Sequence, residues 1–391
     1  MTGTSLDGMD IAVVATEGVG LGMSARLVLH EGHAFDESLR RGLRAAAEQA
    51  PTTTGEIAAL ALAFALFHAH RVAEALRRAG VAADLVAVHG QTVFHSPPVS
   101  WQLFQPAPMV ELLGVPVVCD LRQADLAAGG QGAPITPIAD WILFRSGVDR
   151  AVVNLGGFCN MTLLPGGGDV STVRGADVCA CNQVLDAVAR VALGRPFDEN
   201  GAAARSGTVD RGAERRLVET LRRQRDLGRS LGTGDEAMAW VESERGRLRP
   251  ADLAATAAVA VGQVIGESAS GTGRGLGPAA EILLAGGGAR HTPLVEAIAR
   301  AHGGGEGRVR PLDAVGVPVD ARESMEMAVL GALAADGVPI TLPAVTGRRE
   351  SRTRDGLWCL PRSVSGLLER PGSADALRIA NGNFTTGSPP P

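Results

Sequence analysis

Tyrosine is absent from this 391-residue chain, and all aromatic residues together make up 3% of it. That scarcity argues against the aromatic platforms on which proteins stack single-stranded nucleic acid. A net charge of -5 likewise removes a general attraction to polyanions. Cysteines number five, an odd count that fits reduced thiols rather than a disulfide framework. Cys179 and Cys181 form a C-x-C with no second Cys/His pair at zinc-finger spacing, so no residue is assigned as a metal ligand. Apolar stretches are short or interrupted by charge, and none reads as the roughly 20 residues that span a bilayer. The first ten residues carry two Asp and no Lys or Arg, unlike a signal peptide. The expectation is a soluble cytoplasmic protein that binds neither nucleic acid nor membrane.

Glycine, by contrast, numbers 51 and falls in clusters at Gly129-Gly130, Gly156-Gly157, Gly166 to Gly168 and Gly286 to Gly288. Clusters at separated points suggest several loops converging on one ligand, because glycine lets the main chain approach closely and take positive φ. The length suits two domains of roughly 150 to 200 residues. Strands are predicted over Met9 to Thr16, Arg26 to His30, Asp84 to His89, Pro116 to Cys119, Arg150 to Leu155, Val173 to Ala176 and Glu281 to Ala285. Helical spacing marks Phe35 to Ala50, Gly55 to Ala79 with Gly80 as C-cap, Asn182 to Leu193, Ala213 to Leu227, Pro250 to Ala269 and Glu323 to Ala335.

AVVNLGGFCNMTLLP restarts the strand-turn-strand grammar of the N-terminus, which suggests a duplicated domain. DLRQADLAAGGQGAPITP has no helical or alternating period and reads as a long functional loop. From about residue 347 the periodicity fades, and the chain reads as a disordered tail.

Phosphoryl transfer asks a protein to hold phosphates and place a carboxylate for the nucleophile's proton, and candidates for each part are present. Gly3, Thr4, Ser5 and Gly8 suit a phosphate turn, with Asp7 and Asp10 able to hold a metal through water; a solvated turn is the alternative. HGQTVFH places His89, Gln91 and His95 after a strand, for a ligand or only to cap backbone groups. Arg122 suits a bidentate carboxylate contact and Asp125 suits sugar hydroxyls. Asp177, at a strand end before a helix, points into an interdomain cleft or serves as an N-cap.

GTSLDGMD, HGQT, LRQADLAAGGQGAPITP, NLGGFCNMTLLP, FDENGAAARSG and LLAGGGARHTPL resemble, in order and spacing, the anhydro-N-acetylmuramic acid kinases from residue 1 to about 346, with GGQGAP the most specific element. The resemblance implies an α/β fold of the actin-like, ribonuclease-H-like kind, duplicated, with ATP between the domains. On that pattern residues 1-145 form the N-terminal domain, 146-346 the C-terminal domain and 347-391 the tail. It also implies a reaction in which ATP and water open the 1,6-anhydro ring of a recycled cell-wall amino sugar and O6 is phosphorylated. Asp177 would then be the catalytic base. ATP would be met by Gly3, Thr4, Ser5, Leu6, Asp7, Gly8, Met9 and Asp10, by Gly156, Gly157 and Asn160, and by Gly286, Gly287 and Gly288. His89, Gln91, Arg122 and Asp125 would line the sugar pocket, Arg122 toward the lactyl carboxylate. Mg²⁺ is implied by ATP chemistry, and a homodimer is left open.

Two departures stand out. Relatives carry a strand before the first loop, so the N-terminal domain is expected to lack its first strand and leave one edge of Met9 to Thr16 unpaired. The family's D-T-G-P-G-N reads DVCACN here, and if the replaced glycines need positive φ, Cys179 and Cys181 would be strained by on the order of 1 kcal/mol or more each. The alternatives carried forward are a kinase for another sugar and an ATP-binding protein that has lost catalysis.

Overall fold

The computed structural model describes residues 1-2, 6, 8-227, 235-272, 277-305, 307-350 and 352-362. Strands β1 (Gly8–Glu17) and β2 (Ser24–Ala34) pair antiparallel, Gly8 opposite Ala34 and Glu17 opposite Ser24. Helix α1 (Glu37–Ala47) starts where the Asp36 side chain accepts from the Leu39 amide at 2.8 Å. Helix α2 (Thr54–Ala79) opens with a Thr53/Glu56 capping box and stops at left-handed Gly80, as the sequence predicts.

At 26 residues α2 is long and apolar enough, by length and composition, to cross a membrane. This corrects the expectation that no apolar stretch reaches that length. In this fold it buries Phe64, Ala65, His68 and Ala69 and packs against β1, β2, α1 and α3 (Ala107–Leu113).

Short strand β3 (Val86–Ala87) runs parallel to β6 (Val117–Cys119), and β4 (Gln91–Ser96) forms a hairpin with β5 (Val99–Leu103). The stretch after β6 is not all loop. It makes the short helix α4 (Gln123–Ala127) before α5 (Pro137–Phe144), a local turn too brief to leave a period in the sequence.

The second half is built on one five-stranded sheet. In chain order its strands are β7 (Arg150–Leu155), β8 (Phe158–Leu164), β9 (Arg174–Ala180), β10 (Glu281–Ala285) and β11 (Val309–Pro311), and in space they run β11-β10-β7-β8-β9. The first three form an antiparallel meander, and β10 and β11 lie parallel to β7. Numbered within the half, that is the 3-2-1-4-5 order of a ribonuclease-H-like sheet, and it bears out the expected α/β class.

Helices α6 (Asn182–Val188), α7 (Ala202–Ser206), α8 (Arg211–Leu227), α9 (Asp235–Glu244) and α10 (Pro250–Ala269) cover one face. Ala151, Val153 and Leu155 point into that core. Helix α11 (Thr292–His302) lies close against α10, because a Cβ at Gly262 would come within 2.5 Å of Ala297 Cβ. Val152, Leu283 and Ala285 point the other way, into a core shared with α5, with α12 (Arg322–Ala335) and with Val118 and Leu121 from the first half. Helix α12 also packs on β1 and β3, so it joins the two halves.

After α13 (Pro343–Thr346) the chain does not become a featureless tail. Strand β12 (Leu357–Cys359) pairs antiparallel with β6, Leu357 opposite Cys119. Arg348 and Asp355 meet in a buried ion pair at 3.2 Å. The expectation of disorder from residue 347 is thereby corrected for residues 347-350 and 352-362, because β12 takes its order from a distant strand; 351 and 363-391 lie outside the described residues. Between β1 and β3 runs a groove of about 400 Å³ lined by Met9 to Thr16, Val72, Leu76, Met327 and Ala332. Met1 sits at its end, its amino group donating to Asp10 O and its carbonyl accepting from Asp10 N, both at 2.8 Å.

Candidate active site

Three loops, two of them glycine-bearing, leave the same end of the second sheet, because β7, β9 and β10 run in one direction and deliver their C-termini together. The turn after β7 is Gly156-Gly157, and the turn after β10 is Gly286 to Gly288. Gly286 has φ +80° and ψ 169°, a region essentially reserved for glycine. A Cβ there would lie 2.6 Å from Asn154 Oδ1 and 2.9 Å from Leu155 O. Asn182 Nδ2 donates to Leu155 O at 2.8 Å. The amides of Cys181, Asn182 and Gln183 donate to the Gly156 and Gly157 carbonyls at 2.9, 3.0 and 3.1 Å. The first amides of α6 are therefore committed to the turn, and the three loops form one backbone platform.

Asp177 does not end its strand. Strand β9 continues to Ala180, and its register slips between Cys159 and Asn160: Cys179 faces Cys159, yet Asp177 faces Asn160, leaving Val178 as the extra residue of a bulge. Without the bulge Val178 would stand opposite Asn160 and Asp177 would turn into the core.

With it, Asp177, Asn160, Asn154 and Ala285 form one row across β9, β8, β7 and β10, all on the α12 side of the sheet. The positive φ that would strain Cys179 and Cys181 is absent. Among the described residues, positive φ outside glycine occurs at Leu6, Gln49, Asp120 and Asn200, and Cys181 has φ -122°. Cys159, Cys179 and Cys181 are fully buried on the core side, where burial pushes the Cys179 thiol up to about 12. They are packing residues.

The row extends to a residue the sequence reading missed. Asn154 Nδ2 donates to Glu323 Oε1 at 3.2 Å, and Glu323 lies in the first turn of α12. No local pattern in ARESMEM marks it; only the return of α12 to the sheet brings it beside Asn154.

Arg122 lies near Glu323 and is half-buried, its Nη1 donating to Gly132 O at 2.6 Å and its Nη2 to His89 Nε2 at 2.8 Å. Burial lowers its guanidinium to about 10 against the opposing pull of Glu323, Asp125 and Asp120, so it stays cationic at neutral pH. Among the described residues no carboxylate forms an ion pair with it. A half-buried cation of this kind suits an incoming carboxylate.

Arg122 Nε, and His95 Nε2 and Asp120 Oδ1 within its electrostatic reach, are buried polar atoms without a protein partner; Gln91 Oε1 and Gln102 Oε1 on the β4-β5 hairpin are two more. Leaving such atoms unpaired costs about 1–3 kcal/mol each, which points to a polar ligand. Asp120 holds positive φ (+51°) there, and burial raises its carboxyl pKa. The sequence had not singled out Asp120 or Gln102.

Asp125 does not join this group. Its carboxylate is fully buried and accepts from Gly132 N at 2.7 Å and from the Thr341 and Thr346 hydroxyls at 2.6 Å each. It shapes the GGQGAP loop and ties it to the segment after α12. At the N-terminus, Gly3, Thr4, Ser5 and Asp7 lie outside the described residues. Gly8, Met9 and Asp10 begin β1, Met9 is buried, and the Asp10 carboxylate lies 3.6 Å from His30 Nε2.

His89 donates from Nδ1 to Gly90 O at 2.9 Å, the tautomer set by Arg122 at its other nitrogen. Burial, and then Arg122, hold its pKa down to about 3; burial does the same for His68, also about 3. Both must bind a proton on unfolding below pH 6.5, so the unfolded state holds more protons between pH 6.5 and 3. Stability is therefore full above 6.5 and falls as pH drops through that window. Urea unfolding at pH 5 is expected to show about 2 kcal/mol less stability per histidine than at pH 7. His68→Leu should remove its share of the slope; an unchanged slope would contradict the buried neutral state.

The sheet order, the glycine-bearing turns and the polar row define a ribonuclease-H-like α/β protein. The family model for Anhydro-N-acetylmuramic acid kinase matches residues 1–357. A protein of that name from Salinibacter ruber is 33% identical over 382 residues, 92% of this chain and 95% of its own length. One from Gloeobacter violaceus is 35% identical over 360 residues, 89% of this chain and 94% of its own. The chain belongs to the anhydro-N-acetylmuramic acid kinase family.

Among solved structures, component A of (R)-2-hydroxyglutaryl-CoA dehydratase from Acidaminococcus fermentans covers 83% of this chain and 98% of its own, at 12% identity and a TM-score of 0.41. A ROK family glucokinase from Streptomyces griseus, in complex with glucose and AMPPNP, covers 82% and 99% at 15% identity and a TM-score of 0.35. Likeness at that level adds nothing to the assignment.

Proposed function

We propose that this protein is an ATP-dependent kinase that opens 1,6-anhydro-N-acetylmuramic acid with water and phosphorylates O6, giving N-acetylmuramic acid 6-phosphate for cell-wall recycling. The observation that carries the reading is the bulge on β9, which turns Asp177 out of the core into a polar row beside the glycine platform. Water is a poor nucleophile, and a carboxylate within hydrogen-bond reach raises its reactivity. Asp177 takes one proton from water, the hydroxide adds to C1, and the C1–O6 bond breaks. O6 then attacks the γ-phosphoryl group, ADP leaves, and Asp177 releases its proton to solvent. Asn160 and Asn154 carry hydrogen-bonding groups along the path, and Glu323 closes it from α12.

Arg122 receives the lactyl carboxylate, with His89 holding the guanidinium and Gln91 beside it; Asp125 keeps the loop in shape. Gly286 to Gly288 and Gly156-Gly157 face the nucleotide, and Gly3 to Asp10 are read as its first phosphate loop. Among the described residues no group of three or more His, Cys, Asp or Glu could hold a metal. Asp10 would hold Mg²⁺ through water. When bound it neutralises charge developing on the phosphates. A cytoplasmic setting is part of this reading.

Incubation with ATP and the anhydrosugar, followed by mass spectrometry, is expected to yield a product heavier by one water and one phosphoryl group, with one ADP per product. Equal turnover of open-chain amino sugars, or none of the anhydrosugar by folded protein, would overturn the reading.

A further inference from the structure

Directly below the polar row lies a second set of side chains that the reaction does not touch. Thr162 stands two residues from Asn160 on β8, hence on the same face, and its hydroxyl donates to Asp140 Oδ2 at 2.6 Å. Asp140, on α5, receives Arg322 Nε at 3.0 Å and Nη2 at 2.9 and 2.7 Å. Arg322 Nε also lies 2.8 Å from Glu326 Oε1, and the three charged side chains are at most 2% exposed. Arg322 immediately precedes Glu323, and Glu326 follows Glu323 by about one turn.

We propose that Thr162, Asp140, Arg322 and Glu326 form a buried joint that positions Glu323 against Asn154, so that α12 closes the polar row; this rests on reading that row as the reacting site. Three elements, β8, α5 and α12, meet at the Asp140 carboxylate through Thr162 and Arg322, which fixes the first turn of α12 in height and rotation. A small tilt of that turn would draw Glu323 away from Asn154, and a misplacement of 1 Å at a reacting site can cost about 10²-fold in rate.

Stability alone does not require the arrangement, since buried ion pairs are often replaceable by apolar groups at no net loss. Burial first, then Asp140, raises the Glu326 carboxyl well above its usual range, and Arg322 is held above its own against burial by Asp140. Asp140 and Arg322 form a bidentate ion pair, and Glu326 lies beside the same guanidinium.

The test uses Asp140→Asn and Glu326→Gln in the full chain. Glu326→Gln, which keeps the side chain's shape and leaves the Thr162–Asp140–Arg322 link intact, is expected to keep kcat within about threefold. Asp140→Asn is expected to lower kcat at least about tenfold with KM for ATP within about threefold. Its amides from Glu323 to Met325 should exchange with solvent at least about tenfold faster than in wild type, a readout that stands even if the sugar is not the substrate. If Asp140→Asn does not fold, Thr162→Val replaces it, with at least a threefold loss of kcat and faster exchange in the same turn expected. Unchanged exchange at that turn, a loss in Glu326→Gln equal to that in Asp140→Asn, or a fall shared equally by kcat and ATP affinity would overturn the proposal. Absence of wild-type phosphosugar would instead count against the kinase reading.

Discussion

Asp177→Asn is expected to lower anhydrosugar phosphorylation by about 10²–10⁴-fold, the usual worth of a positioned general base, while leaving ATP binding within about threefold of wild type. Asparagine matches the shape of aspartate and can keep the place opposite Asn160 that the bulge creates. What it loses is the ability to accept the water's proton. The loss should fall on kcat, because the base acts only as the reaction proceeds. Steady-state kinetics alongside calorimetric titration of ATP would separate the two effects. A variant retaining more than a tenth of wild-type kcat would remove Asp177 from the role, and a variant that no longer binds ATP would make it part of the nucleotide site instead.

Gly286→Ala is the second large effect. The backbone at Gly286 (φ +80°, ψ 169°) is one that alanine adopts only under strain, and the added methyl would meet Asn154 Oδ1 at 2.6 Å and Leu155 O at 2.9 Å. The Leu155 carbonyl already accepts from Asn182 and the Asn154 amide already donates to Glu323, so neither can retreat freely. Strain and displaced packing together are expected to cost about 1–3 kcal/mol of stability, read by urea unfolding. The shift of Asn154 and of the platform should lower kcat/KM for ATP at least about tenfold in protein that remains folded. Gly287→Ala is the control, because the nearest atom to a Cβ there is Asn182 Nδ2 at 3.9 Å. Equal effects at the two positions would contradict the close approach at Gly286.

Much of this was legible where chemistry is local. Gly80 ends α2 because a left-handed cap favours glycine, and Gly286 to Gly288 follow β10 because the loop must turn hard against Leu155. Asp177 stood out as a carboxylate before a helix, but its orientation did not, because the bulge depends on how β8 and β9 register across space. DVCACN suggested strain by comparison with a glycine-bearing pattern. The structure relieves that expectation by continuing the strand and burying the thiols. Glu323 and Asp120 were silent because their surroundings come from distant segments. Asp125 read as a sugar ligand because its commitments, Thr341 and Thr346, lie more than two hundred residues away. Strand β12 escaped notice for the same reason: three residues carry no period, and only pairing with β6 orders them.

The most direct test of water attack at C1, with O6 as the phosphoryl acceptor, is turnover of 1,6-anhydro-N-acetylmuramic acid with ATP in heavy-oxygen water, with prompt mass spectrometry of the products. The predicted result is a sugar 6-phosphate bearing one heavy oxygen, at C1, and none in its phosphate. Heavy oxygen in free phosphate without phosphosugar, or an unlabelled sugar product, would contradict it.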